Sequence, residues 1–267
     1  MEMPGATLRY WSDGPVWDGV PAVALGAFAF DSAEAGVALL SQALARAGDR
    51  PVLAPIDGDT WHAYRAVTKS DGSPPFLLEP RSGPHDLAAL EAAGFAPVAR
   101  YASTRLSLDM PQAAPDPVPG VTLAAWDGQD AAPLLDRLFA MAGASFADKQ
   151  FFKPIDRDGF LALYLPLLPM LDPRMVLFAT ARDTLVGFLL GYRDPNDPAT
   201  AVLKTYAAGV RGVGHLLADH FHGVARDLGC TRVIHALMHE SNVSLARSGQ
   251  HGAGVFRRYA LFGRRAG

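Results

Sequence analysis

The chain has 267 residues, 49% of them hydrophobic and 19% charged, with a formal net charge of −3 and one cysteine. This apolar content fills a sizeable core and excludes intrinsic disorder. Twenty-four basic residues against 27 acidic ones leave no cationic surplus of the kind a nucleic-acid surface requires. Residues 1–19 lack the cations and apolar run of a signal peptide, and no window holds 18 consecutive apolar residues, so no membrane partner is expected. Cys230 has no partner for an internal disulfide, which fits a reducing compartment. The expectation is a cytoplasmic protein of mixed α and β structure.

In chain order, residues 22–30 read as a strand. Asp31 and Ser32 then offer N-cap oxygens to a helix running to Ala47, which Gly48 ends. A short strand over 52–55 precedes an aromatic and polar cluster, Trp61, His62, Tyr64 and Arg65. Residues 76–78 read as a strand, 85–93 as a helix closed by Gly94, and 98–108 as a strand. Four prolines in residues 111–120 read as a linker, dividing the chain into domains of 1–115 and 116–267. The second part begins with a strand over 121–126, a helix over 130–147 and a helical stretch over 157–171. A hairpin follows (175–181 with 185–192), then a strand over 200–207, a helix over 215–228, a strand over 231–238, a short helix over 242–248 and a last strand over 255–263. Residues 22–108 and 200–263 share the order strand, helix, strand, short helix, strand, which points to an internal duplication whose first copy lacks its opening elements.

One stretch carries chemistry. The strand ending Tyr206-Ala207-Ala208 runs through Gly209-Val210-Arg211-Gly212-Val213-Gly214 into an amphipathic helix opening at His215. Glycines let backbone approach a ligand, and the amides of a helix N-terminus favour an anion. A plain glycine-rich turn has the same residues, so both readings are open on the glycines alone. A Walker loop would need Lys-Ser/Thr where His215-Leu216 stands. A dinucleotide fold would place this turn after the first strand of its unit. The histidines do not have zinc-hydrolase spacing: His235-Ala-Leu-Met-His239-Glu240 is neither His-Glu-x-x-His nor His-x-x-Glu-His, and no metal is expected.

These residues resemble the acyl-CoA loop of the GNAT acetyltransferase superfamily, Arg/Gln-x-x-Gly-x-Gly/Ala. The register places Gly209 at the leading cation and Gly212 and Gly214 at the small positions. Asn242 stands where the family has an asparagine that contacts the pantetheine arm, and Gly249 stands where it often has a tyrosine acid. The resemblance covers residues 121–267 in element order and extends to the first part as a degenerate half of a tandem member. It implies two tandem GNAT-like α/β domains, each a mostly antiparallel mixed sheet flanked by helices.

The resemblance further implies an acyl-CoA-dependent N-acyltransferase that uses acetyl-CoA as co-substrate and acts by direct transfer in a ternary complex. Its acceptor would be a small-molecule or peptide amine, and a homodimer is compatible with it. The implied cofactor contacts are Tyr206, Ala207, Ala208, Gly209, Val210, Arg211, Gly212, Val213, Gly214, His215 and Asn242. His239 and Glu240 become candidates for the base or proton shuttle, and Tyr206 and Tyr259 for the acid. Phe151, Phe152, Tyr164, Trp61 and Tyr64 are candidates for the acceptor wall. Gly209 and Gly249 favour the alternative, a catalytically silent acyl-CoA-binding or structural protein.

Overall fold

A computed structural model describes residues 1–109, 117–129, 131–250 and 252–265. The first half contributes strands β1 (Glu2–Met3), β2 (Ala6–Trp11), β3 (Val16–Trp17), β4 (Val20–Pro21) and β5 (Val23–Phe30). Helix α1 (Ala33–Ala47), β6 (Val52–Ala54), β7 (Ala66–Ser70), α2 (Asp86–Ala92) and β8 (Ala96–Ser107) complete it. The second half begins with β9 (Val121–Ala125), α3 (Ala131–Phe146), α4 (Arg157–Tyr164) and a 3-10 segment, Leu165–Met170. Then come β10 (Val176–Ala181), β11 (Thr184–Arg193), β12 (Thr200–Ala208), α5 (Val213–Asp227), β13 (Arg232–His239), α6 (Val243–Gln250) and β14 (Gly254–Arg264).

Local chemistry explains the helix ends. The Ser32 hydroxyl accepts from the Ala35 amide at 3.2 Å, and Gly48 leaves α1 at φ +62°. Asp156 caps α4 by accepting from the Gly159 amide at 2.8 Å. The proline-rich expectation over 111–120 falls mostly outside the described residues.

Among the described residues the main sheet has twelve strands in the order β1-β2-β5-β6-β14-β8-β13-β12-β11-β10-β9, with β7 added beside β14. β5 runs parallel to β6, and β12 parallel to β13; their neighbours are antiparallel. Each half therefore repeats one scheme: two parallel strands joined by a helix, then a shorter helix and a final antiparallel strand. The final strands are exchanged. β8 leaves the first half to pair with β13, while β14 returns from the second half to pair with β6, and the two meet at the centre. One continuous sheet results, with residues of both halves at its middle.

Side-chain alternation along the strands sorts the layers. Leu177, Ala179, Leu189 and Leu203 face α5 through Val213, Leu217, Phe221 and Ala225. Val176, Phe178, Phe188 and Leu190 face α3 and α4 through Leu134, Leu135, Leu138 and Phe160. α1 and α2 cover the first half with Leu39, Leu40 and Leu90. Cys230 is buried in the α5 layer as a small apolar residue.

Three expectations need correction. Residues 76–78 form a turn rather than a strand: Pro74 and Pro75 bring no amide hydrogens, and the Glu79 amide donates back to the Phe76 carbonyl at 3.1 Å. The strand in this region is β7. The first half also has opening strands, since β1 and β2 extend its sheet beyond β5; among its described residues there is no counterpart of α3 and α4. Finally, Leu165–Met170 continues α4 only as a 3-10 turn, with Pro166 and Pro169 inside it.

Candidate active site

Parallel pairing of β12 with β13 is registered from Thr200↔Arg232 to Leu203↔His235 and stops there. Beyond that point β12 stays bonded to β11 through Leu189↔Tyr206, Phe188↔Ala207 and Gly187↔Ala208, while β13 follows β8. The two strands diverge into a V with one unpaired edge on Lys204–Ala208 and another on residues 236–239. Irregularities on both arms mark the vertex. The register with β11 shifts at Leu190/Gly191, skipping Lys204, and β13 shifts against β8 between His235 and Met238, with Leu237 at φ +59°.

Side chains of the first half hold that second bend. The Leu237 amide donates to Ser103 Oγ at 3.0 Å, and its carbonyl accepts from Arg65 Nη1 at 3.1 Å. The Arg65 guanidinium lies between the rings of Tyr64 and Tyr101, 3.9 Å from each centroid. Burial holds its pKa below the usual range, at about 10.

The mouth of the V is the glycine turn. Gly209 stays on the strand edge, its amide donating to the Val186 carbonyl at 2.9 Å. Gly212 sits at the N-cap with φ +90°, a conformation that favours glycine, and no side chain caps α5. First-turn amides lack acceptors within a helix, and α5 has no acidic residue in that turn. A Cβ on Gly214 would lie 3.2 Å from the Tyr206 ring and 3.3 Å from Arg247 Nη1. Arg247, on α6, thus brings a guanidinium to the N-terminal end of α5. Val210 and Arg211 are exposed, Val213 is buried in the core, and His215 is half-buried in the first turn.

The first half is built differently at the corresponding place. The Ile56 amide donates to the Leu25 carbonyl at 2.7 Å, keeping the chain after β6 bonded to β5. Asp57 Oδ1 takes the Ala27 amide at 2.8 Å, and a Cβ on Gly26 would collide with it. The α1 terminus already has Ser32 as its cap and Glu34 in its first turn. No open V and no uncapped glycine terminus form there.

The catalytic candidates separate. His239 ends β13 with its ring edge-on to Tyr101, centroids 5.1 Å apart, and its Nδ1 accepts from the Ser241 amide at 3.1 Å. Burial, then Arg65, lowers the His239 pKa, while Glu240 opposes the shift. Glu240 itself is ion-paired to Arg258. Tyr206 lies in the V with its hydroxyl toward Ser244 and Arg247 of α6, and burial raises its pKa. Asn242 is exposed where α6 begins, its amide donating to the His239 carbonyl at 2.9 Å.

Tyr259 is not brought to the cleft. It is 1% exposed, its hydroxyl donates to Glu79, and Ser103 Oγ lies 3.1 Å away. Of the aromatic wall, Trp61 meets Phe152 and Phe160 at centroid distances of 5.8 and 5.7 Å, and Tyr164 stacks on Phe160 at 4.3 Å. Phe151 instead packs against Trp17, away from that group. The buried pair His222 and His235 meets Nε2 to Nε2 at 2.9 Å, and His235 Nδ1 reaches Ser248 Oγ at 2.7 Å, tying α5, β13 and α6 together behind the V.

Two residues outside the sequence expectations belong to this region. Arg247 is one. The other is Lys204 at the vertex, whose Nζ donates to the Leu78 carbonyl at 3.2 Å. Leu78 also borders an apolar depression formed with Tyr164, Leu168, Leu171 and Tyr192.

No family model matches the sequence, and no curated protein matches it. Solved structures do. A GCN5-related N-acetyltransferase from Sphaerobacter thermophilus superposes with a TM-score of 0.61 at 15% identity, over 98% of this chain and 78% of that one. A tandem GNAT protein from the clavulanic acid biosynthesis pathway gives 0.56 at 18% identity, over 99% and 84%. The fold is that of the GCN5-related N-acetyltransferases. A third member from Anabaena variabilis ATCC 29413 gives 0.52 at 11% identity, over 97% of this chain and 59% of the other. The repeated scheme, with each half closed by the other's last strand, is consistent with a tandem arrangement of that fold. No helix among the described residues is long and apolar enough to cross a membrane.

Proposed function

We propose that the chain is an acyl-CoA-dependent N-acyltransferase, with acetyl-CoA as its co-substrate and direct transfer to an amine in a ternary complex. The observation that carries this reading is the pairing of the open V with the uncapped, glycine-lined N-terminus of α5. In this reading residues 116–267 hold the co-substrate and residues 1–115 wall the acceptor side. The Gly209–Gly214 turn and Arg247 receive the diphosphate: backbone amides, the helix dipole and a guanidinium are what an anion seeks. Arg247 then does the work of the cation that Gly209 lacks. The edge of Tyr206–Ala208 offers amides to a thioester carbonyl, and Asn242 faces the arm.

Acyl transfer to an ammonium needs that group to lose a proton before attack, and the departing thiolate needs one. His239, made a weaker base by burial, is the family-pattern candidate to accept, on the β13 arm. Tyr206, whose phenol stays protonated at neutral pH, stands on the β12 arm to donate. Glu240 is the ion-pair partner of Arg258, and Tyr259 anchors Glu79. Because two of the four sequence candidates are thus engaged elsewhere, a silent acyl-CoA-binding protein is the competing reading. A thiol-release assay with acetyl-CoA over a panel of amines separates the two. Amine-dependent CoA release supports the transferase, whereas tight binding with no release on any amine supports the silent protein.

A further inference from the structure

We propose that Lys204 is the catalytic base that takes the proton from the acceptor ammonium. The inference rests on the acyltransferase reading and assigns within it a residue that no family pattern marked. Lys204 is the skipped residue of the β12 irregularity, at the point where β12 leaves β13 and the V opens. Val202, two positions earlier, faces Phe76 and Ile234 on the acceptor side, and Lys204 Nζ reaches the Leu78 carbonyl on that same side. No carboxylate of the described residues forms an ion pair with it. The acid that acts on it, Glu79, is held by Arg257 Nη1 at 2.5 Å and by the Tyr259 hydroxyl.

A half-buried lysine without a counter-ion is shifted toward its neutral amine. Burial is the main cause, Arg65 adds to it and Glu79 opposes it, bringing the Lys204 pKa to about 7. The other titratable groups of this face are Tyr164 at the depression, raised by burial to about 12, Tyr192, whose hydroxyl donates to the Leu77 carbonyl, and His239 and Tyr101 on the far arm. None supplies a negative charge at neutral pH. The one hydrogen bond to Leu78 leaves Lys204 Nζ able to meet an amine entering beside the apolar depression.

The Lys204 lone pair takes one proton from the ammonium and passes it to solvent. The freed amine lone pair attacks the thioester carbonyl, the C–N bond forms and the C–S bond breaks. The second proton on nitrogen goes to the thiolate, giving amide, CoA thiol and one released proton.

The test uses the full chain with Lys204→Met and Lys204→Arg, beside His239→Ala. Both Lys204 variants are expected to bind acetyl-CoA within about twofold of wild type by calorimetry and to lose about 100-fold or more in kcat. Lys204→Met is also expected to lose the acidic limb of the pH profile of kcat/KM near neutrality. The failure of Lys204→Arg separates a need for a base from a need for charge. If the limb survives in Lys204→Met and vanishes in His239→Ala, His239 is the base and the proposal falls, with the transferase reading intact. If wild type does not bind acetyl-CoA, both fall. Independently of turnover, NMR titration of 13C-labelled lysine should show one side chain titrating near neutral pH that is missing from Lys204→Met. Titration of every lysine above pH 9 would overturn the proposal.

Discussion

Glu79 is the residue whose removal the structure predicts most sharply. Its side chain is 1% exposed and that of Arg257 is 4% exposed, with Nη1 to Oε2 at 2.5 Å. Glu79 also accepts from the Tyr259 hydroxyl and, at 3.1 Å, from the Phe76 amide. Glu79→Ala leaves the guanidinium buried without its carboxylate and orphans the Phe76 amide. Breaking a buried pair in this way costs about 3–5 kcal/mol. Arg257 keeps Ser73 as an acceptor, at 2.5 Å to its carbonyl, and Asp71 stays 3.8 Å away, which places the expected loss near the lower bound. A loss of about 3 kcal/mol lowers Tm by roughly 6–12 °C at this chain length. Differential scanning calorimetry reads it directly. Adding Arg257→Met to Glu79→Ala should recover part of the loss, since the unpaired charge is then gone. A fall below 2 °C in Glu79→Ala, or no recovery in the double variant, would refute the reasoning. The same turn places Leu78 over Lys204, so Glu79→Ala should also lower acceptor turnover at temperatures where it is folded.

Other expectations follow from the cleft. Lys204 has a folded-state pKa of about 7 against an ordinary 10.5, so between those values the unfolded chain binds a proton that the folded chain does not. Stability should therefore rise with pH across that window, and urea titrations at pH 7 and pH 10 should show a smaller rise in Lys204→Met. Arg247→Gln should weaken acetyl-CoA binding by about tenfold, the scale of one charge-assisted hydrogen bond, with the difference shrinking as salt is added. The apolar depression beside Lys204 should make alkyl and aryl monoamines better acceptors than polyamines or amino sugars of equal concentration, as kcat/KM over a panel will show.

Much of this architecture was legible from local chemistry. Ser32 and Gly48 announce the ends of α1, and the repeated strand–helix–strand order of both halves survives in the sheet. β2 carried a signal too, since Ala6, Leu8 and Tyr10 alternate with Thr7 and Arg9, but its flanking Gly5 and Gly14 hid it. The exchange of β8 and β14 was not legible. Each is an apolar strand after a short helix, and which neighbour it takes depends on partners over a hundred residues away.

At the site, the glycine turn was visible because backbone demands leave a residue signature. Arg247 and Lys204 had none, being single cations in ordinary elements whose meaning comes from what faces them. A lysine inside Val-Leu-Lys-Thr-Tyr was the available hint, since a charge in an otherwise buried strand needs a reason. Tyr259 misled for the opposite reason: its position matched a catalytic expectation, and the fold spends its hydroxyl on Glu79.

The Gly209–Gly214 turn is the proposed seat of the acyl-CoA diphosphate, and one titration tests that directly. Gly212 is the wrong place for a blocking substitution, because its φ of +90° would strain any side chain and confuse folding with binding. Gly209 has an ordinary φ and open space, with only the Val186 carbonyl at 3.9 Å from a Cβ. Gly209→Glu should fold with an unchanged Tm and place negative charge at the proposed site. Calorimetric titration of acetyl-CoA should give a heat of binding with wild type and none with Gly209→Glu. Equal affinity for the two proteins would contradict the account.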